Sequence, residues 1–192
     1  MDALAALRLW AYEVTLPGVL DDDGRPWVFR IEPRPAADWI IASIDPTHMA
    51  YVPGLLEGDH RDRIMQAIDD GQVTIAQLGD VNHDAIEVVS GWRWWEAGKL
   101  IACVAGSWHT MGGLLTLAGV DPTRVPLGAY LGAVYARLWE NANTKDRAKL
   151  AQQVATPPPS MLNPDNPDEW DDEAAEAAIR AFLEAGPTGR SE

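Results

Sequence analysis

The chain has 192 residues, 29 Asp and Glu against 15 Lys and Arg, a net charge of −14 and 47% hydrophobic residues. That is apolar material enough for one ordinary domain plus a tail, and it excludes global disorder. Such an acidic balance argues against nucleic acid and against anionic lipid as partners. No apolar run approaches the roughly 20 residues of a membrane helix. The longest, Lys99 to Gly119, is interrupted by Gly106, His109, Gly112 and Gly113. The start Met-Asp-Ala-Leu lacks the basic residues of a signal peptide, and the single cysteine, Cys103, excludes an internal disulfide framework. The expectation is a soluble cytoplasmic protein.

The first thirty residues read as a hairpin. Trp10, Tyr12, Val14 and Leu16 alternate with smaller or polar residues, as do Trp27, Phe29 and Ile31. Asp21-Asp22-Asp23-Gly24 is a turn, since a calcium loop needs wider ligand spacing and a late Glu. Ala36 to Ile44 reads as a short helix with Trp39, Ile40 and Ile44 on one side, stopped at Asp45-Pro46. Asp59 is expected to cap a helix to Asp70, with Ile64, Met65 and Ile68 inward and Gly71 as its stop. Thr74 and Gln77 have capping-box spacing before a helix carrying Leu78, Val81, Ala85, Ile86 and Val89, ended at Ser90-Gly91.

Trp92 to Gly119 is the most apolar stretch. Leu100, Val104, Trp108, Met111 and Leu115 recur at helical spacing, which predicts a central helix buried on most sides with a break near Gly112-Gly113. Pro126 opens a further helix whose face is Leu127, Tyr130, Leu131, Val134, Tyr135 and Leu138. Thr144 to Val154 is a polar helix ended by Pro157-Pro158-Pro159. Residues 157–192 hold nine acidic residues and two Arg. They read as a linker followed by an amphipathic helix with Ala175, Ile179, Phe182 and Leu183 in its stripe. The expected fold is α+β, mainly α: an N-terminal β-hairpin packed on a helical bundle over residues 1–156, with an acidic C-terminal tail of one helix over residues 157–192.

The chain contains no GxxxxGK[ST], GxGxxG, GxSxG, CxxC or HExxH. His60, His83-Asp84 and Asp121 copy the H…HD…D order of metal-dependent phosphohydrolases, where imidazoles and carboxylates hold a divalent ion that activates water. Each has a simpler reading: a solvated helix start, early-helix polarity and a cap before Pro122. His109, within an apolar helix and with no carboxylate one turn away, reads as a hydrogen-bonded core residue. Cys103 reads as an inert buried thiol. No catalytic residue, cofactor or metal is therefore expected.

Nine tryptophans against two phenylalanines is the compositional anomaly. Three of them fall in Trp92-Arg93-Trp94-Trp95, and three rings in four residues cannot all face one way on a helix. Trp suits cores and partner surfaces alike. The candidate contact residues are Trp92, Trp94 and Trp95, with Trp170, Ile179, Phe182 and Leu183 in the tail helix.

The order of short motifs carries a resemblance. An N-terminal hairpin is followed by Pro35-Ala36-Ala37-Asp38-Trp39-Ile40, Val52-Pro53-Gly54-Leu55-Leu56 and the helix start Trp94-Trp95-Glu96-Ala97. Then come Gly113-Leu114-Leu115, Leu117-Ala118-Gly119-Val120-Asp121-Pro122, the Leu127–Tyr135 helix and a Pro-Pro ending. Over roughly residues 10–159 this resembles the tail assembly chaperones of long-tailed phages that infect actinobacteria. The resemblance implies a non-enzymatic protein of the host cytoplasm that coats and solubilises the tape-measure protein while the tail tube assembles. The tail-tube protein and further copies of the same chain are secondary contacts. The competing readings are a structural virion part, such as a connector or minor tail protein, an HD-type phosphohydrolase, and a regulatory binding module.

Overall fold

The computed structural model describes residues 12–21, 23–44, 52–53 and 58–158. Among them are a two-stranded antiparallel sheet, seven α-helices and one π-helical turn. The fold is α+β and mainly α. By contacts the chain divides into two compact units, the described parts of Met1–Trp92 with Pro122–Gly128, and of Arg93–Asp121 with Ala129–Glu192.

The first unit is built on the hairpin of β1 (Tyr12–Leu20) and β2 (Pro26–Ile31). Tyr12 pairs with Ile31, Val14 with Phe29 and Thr15 with Val28, but Leu20 pairs with Pro26. The five steps from Thr15 to Leu20 therefore face two on β2, an irregularity in a stretch that includes Pro17, whose nitrogen has no N–H for the ladder. Asp21 closes the turn: its Oδ1 accepts from Asp23 N at 3.0 Å and Arg25 N at 2.8 Å, and Gly24 takes φ +76°. The alternation predicted from sequence puts Val14, Leu16, Phe29 and Ile31 in the core, each 3% exposed or less.

Three helices complete this unit: α1 (Ala36–Ile44), α2 (Gly58–Asp69) and α3 (Ile75–Ser90), with α2 and α3 packed on β1. The first amides of α1, Ala36 N and Ala37 N, donate to Val125 O and Pro122 O at 2.9 Å. Backbone carbonyls thus satisfy helix donors that no side chain caps. Thr74 and Gln77 form the reciprocal capping box of α3, with Gln77 N donating to Thr74 Oγ1 at 3.2 Å and Thr74 N to Gln77 Oε1 at 2.8 Å. Gly91, at φ +72°, ends the helix in the left-handed conformation.

In the second unit, α4 (Trp94–Gly106) runs into a π-helical turn (Trp108–Gly112) and the short α5 (Gly113–Leu117). Then come α6 (Leu127–Asn141), which begins in the first unit, and α7 (Thr144–Ala155), which packs on α4. Asn143 caps α7 by accepting from Lys145 N and Asp146 N at 3.0 and 3.1 Å. Arg147 Nε donates back to Trp139 O and Ala142 O at 3.0 and 3.1 Å, satisfying carbonyls at the end of α6. Leu131, Val134 and Leu138 of α6 are buried, as the spacing predicts.

Several sequence expectations are corrected. Met65 is 39% exposed and Ile44 51% exposed; Ala67 and Ala42 occupy the buried positions on those helices instead. The break in the apolar segment lies at Ser107, where two helical stretches meet at 92°. Gly112 and Gly113 both have ordinary right-handed helical angles. His109 is exposed, not a core residue. Trp10, the cap at Asp59, the Gly54–Leu56 loop and the tail beyond Pro158 lie outside the described residues or side chains.

Gly128 shows how tightly the first unit closes. A Cβ at this position would collide with the backbone carbonyl oxygen of Ser90, which a rotamer change cannot move. Gly128→Ala is expected to destabilise the protein by about 1–3 kcal/mol, read from urea unfolding midpoints.

Candidate functional site

Trp92, Trp94 and Trp95 are half-buried, and Trp94 and Trp95 are engaged within the second unit. Trp94 and Trp95 pack edge to face, with centroids 5.8 Å apart at 85°. The Arg93 guanidinium sits 5.9 Å from the Trp95 centroid, and Arg93 N donates to Glu96 Oε2 at 3.1 Å. Trp95 Nε1 donates to Ala155 O at 3.3 Å. One turn further along α4, Lys99 Nζ donates to Gln153 O at 2.7 Å and to Thr156 O at 2.5 Å. Trp95 and Lys99, four residues apart on one face, together receive the unpaired carbonyls at the end of α7. A cation there also meets the negative end of the helix dipole. Burial pulls the Lys99 ammonium below its ordinary pKa, and Glu96 opposes that. This corner is a structural clamp, with a cavity of about 20 Å³ behind it lined mostly by Leu100, Cys103, Leu138, Leu150 and Val154.

Beyond this clamp the apolar segment changes environment. Leu100, Ile101, Cys103 and Val104 are buried. At Ser107 the backbone N–H is shared between Cys103 O and Val104 O, each at 3.2 Å, while Ser107 Oγ donates to Cys103 O at 2.6 Å. A serine hydroxyl that competes for the preceding carbonyl bends a helix. The turn that follows is π-helical, and only Met111, Gly112 and Leu115 of the next eleven residues are buried. Trp108 is 43%, Leu114 39% and Leu117 87% exposed. The Trp108 ring covers the backbone at Gly112, where an added Cβ would sit 3.4 Å from it.

From Leu100 to Val120 there is no Asp, Glu, Lys or Arg, in a chain whose net charge is −14. The projection of Trp108 to Gly119 is thus an exposed, uncharged apolar knuckle. Sequence reasoning missed it because Trp108 keeps the spacing of the buried residues before it. Two signals pointed to it: the absence of charge, and Ser107 inside a helical pattern.

The remaining candidates are placed as follows. His60 packs edge-on against Phe29, centroids 5.2 Å apart. Burial holds the His83 imidazole below its ordinary pKa, opposed by Asp80, Asp84 and Glu87. Among the described residues, no three His, Cys, Asp or Glu side chains are grouped so as to hold a metal ion. Among the same residues, no single helix is long and apolar enough to cross a membrane. Trp170, Ile179, Phe182 and Leu183 lie outside the described residues. In comparisons with protein-family models, curated proteins and solved structures, nothing matches this chain.

Burial pushes the Cys103 thiol up to about 11, against a smaller opposing effect of Ser107. At pH 8 roughly one thiol in a thousand is then ionised, so iodoacetamide is expected to spare the native protein and alkylate it in urea. The unfolded chain loses this proton first. Its contribution to stability is accordingly present below pH 9 and lost as pH rises from about 9 to about 11.

Proposed function

We propose that this protein is a non-enzymatic chaperone that binds apolar helical surface on a long partner and keeps it from aggregating. The resemblance of residues 10–159 to phage tail assembly chaperones makes that partner the tape-measure protein of a long-tailed phage, coated during tail-tube assembly in the host cytoplasm. The single observation that carries the reading is the Trp108–Gly119 knuckle. Leu117 is 87% exposed, with Trp108 and Leu114 beside it in sequence also exposed, which supports a role in contact. A holdase favours the unassembled state of its client by mass action, and needs apolar contact area but no reactive group. The knuckle gives aliphatic and indole surface free of fixed charge, so covering it costs no desolvation of ions. Trp92 before α4 and Trp94 at its start, and the tail residues Trp170, Ile179, Phe182 and Leu183, are secondary candidates for the same contact.

Co-expression with a tape-measure protein followed by pull-down tests this. The wild-type chain is expected to bring the client into the soluble fraction. Leu117→Asp combined with Leu114→Asp is expected to lower capture at least tenfold, because each places a charge in the interface. Both positions are exposed, so the fold and its unfolding midpoint are expected to change little. Undiminished capture by the double variant overturns the assignment of the knuckle. Failure of the wild type to solubilise any tape-measure segment overturns the function.

A further inference from the structure

The net charge of −14 is distributed very unevenly. The described part of the second unit, residues 93–121 and 129–158, holds six Lys and Arg against four Asp and Glu. Residues 165–176, a short way further along the same chain, hold seven acidic residues and no basic one. The last helix of the described part, α7, presents Lys145 and Lys149 four residues apart on an exposed face, with exposed Gln152 continuing it. Among the described residues neither lysine has an acidic partner, whereas Asp146 is held by Asn143 and Arg147 by the end of α6. From these placements we infer that the acidic segment Asp165–Glu176 folds back along α7 and seats against the Lys145–Lys149 face.

The reach is sufficient. Lys149 lies six residues before the end of α7, roughly 9 Å of helix. Pro158 to Asp165 spans up to roughly 23 Å when extended. In sequence, Pro157-Pro158-Pro159 is followed by Asn163-Pro164 and Asn166-Pro167, dipeptides of a kind that favours chain reversal. A tether this short holds the two charged segments at millimolar effective concentration, so weak individual pairs suffice. The occupant is this chain's own tail, because a segment of opposite charge is covalently attached next to the cationic face. Such a contact is screened as the Debye length falls from about 30 Å at 0.01 M salt to about 3 Å at 1 M.

A nitroxide label on Ala174→Cys in the full chain tests the inference, with buried Cys103 left unreacted. At 0.01 M salt the label is expected to broaden the amide resonances of residues 145–152. The broadening is expected to vanish at 1 M salt and in Lys145→Glu with Lys149→Glu, whose other resonances report an intact fold. The neutral pair Lys145→Gln and Lys149→Gln is expected to give an intermediate loss. Absence of broadening on α7 at low salt overturns the inference. So does broadening confined to Leu114–Leu117, which places the tail on the knuckle, or α7 broadening unaffected by charge reversal. Shifts of α7 resonances with a short DNA duplex, without tail-borne broadening, assign the face to an external polyanion instead.

Discussion

Ser107 decides which half of a charge-free segment becomes core and which becomes surface. On helical spacing alone, Trp108 would continue the buried stripe of Leu100 and Val104. The hydroxyl takes the Cys103 carbonyl, the backbone N–H is split between two acceptors, and the axis turns through 92°. Before the turn, Leu100, Ile101, Cys103 and Val104 lie in the core of the second unit. Met111, Gly112 and Leu115 anchor the rest, which leaves Trp108, Leu114 and Leu117 in solvent. A local competition worth about 1 kcal/mol thus redirects a much larger amount of apolar area.

The turn can hold that geometry because the preceding helix is fixed elsewhere. Trp95 and Lys99 bind the carbonyl end of α7, Arg147 binds the carbonyl end of α6, and Asn143 caps the start of α7. The helix ends of this unit are therefore satisfied by side chains from a neighbouring turn or helix. The same contacts explain why Trp95 is a poor candidate for an external partner. Its one donor is already used, and its ring centroid is 5.9 Å from the Arg93 guanidinium and 5.8 Å from the Trp94 ring. An indole engaged in this way contributes to rigidity before it contributes to recognition.

What was legible in the sequence was whatever is settled within a few residues. Thr74 and Gln77 announce a helix start because the two hydrogen bonds close over three positions, and Gly91 announces its end because φ +72° suits glycine. The hairpin was legible for the same reason, since alternation and an aspartate turn are short-range. The exposure of Met65, Ile44 and Trp108 was not legible, because helical spacing assigns a residue to a stripe without saying how far the stripe stays covered. The break was placed at Gly112-Gly113 on propensity, yet glycine tolerates helix at modest cost, while a serine bonding back to a carbonyl bends it. The sharpest site signal was an absence, the lack of charge from Leu100 to Val120, which looks the same in a buried helix and in an exposed knuckle.

The distribution of charge gives the exposed knuckle its physical context. An apolar projection on a neutral surface would pair with its own copies, so a chain that carries one needs repulsion between molecules that does not reach the contact itself. The acidic excess here is carried by the first unit and by residues 165–176, and the segment bearing Trp108, Leu114 and Leu117 has none of it. Repulsion acts over a Debye length of about 10 Å at 0.1 M salt, whereas apolar contact acts only at van der Waals range. Two copies approaching each other meet the long-range term first. A partner without matching negative charge does not, and reaches the indole and leucine surface unopposed. On the proposed function, selection between a second copy and a client would follow from where the carboxylates are absent, with no specific recognition group required.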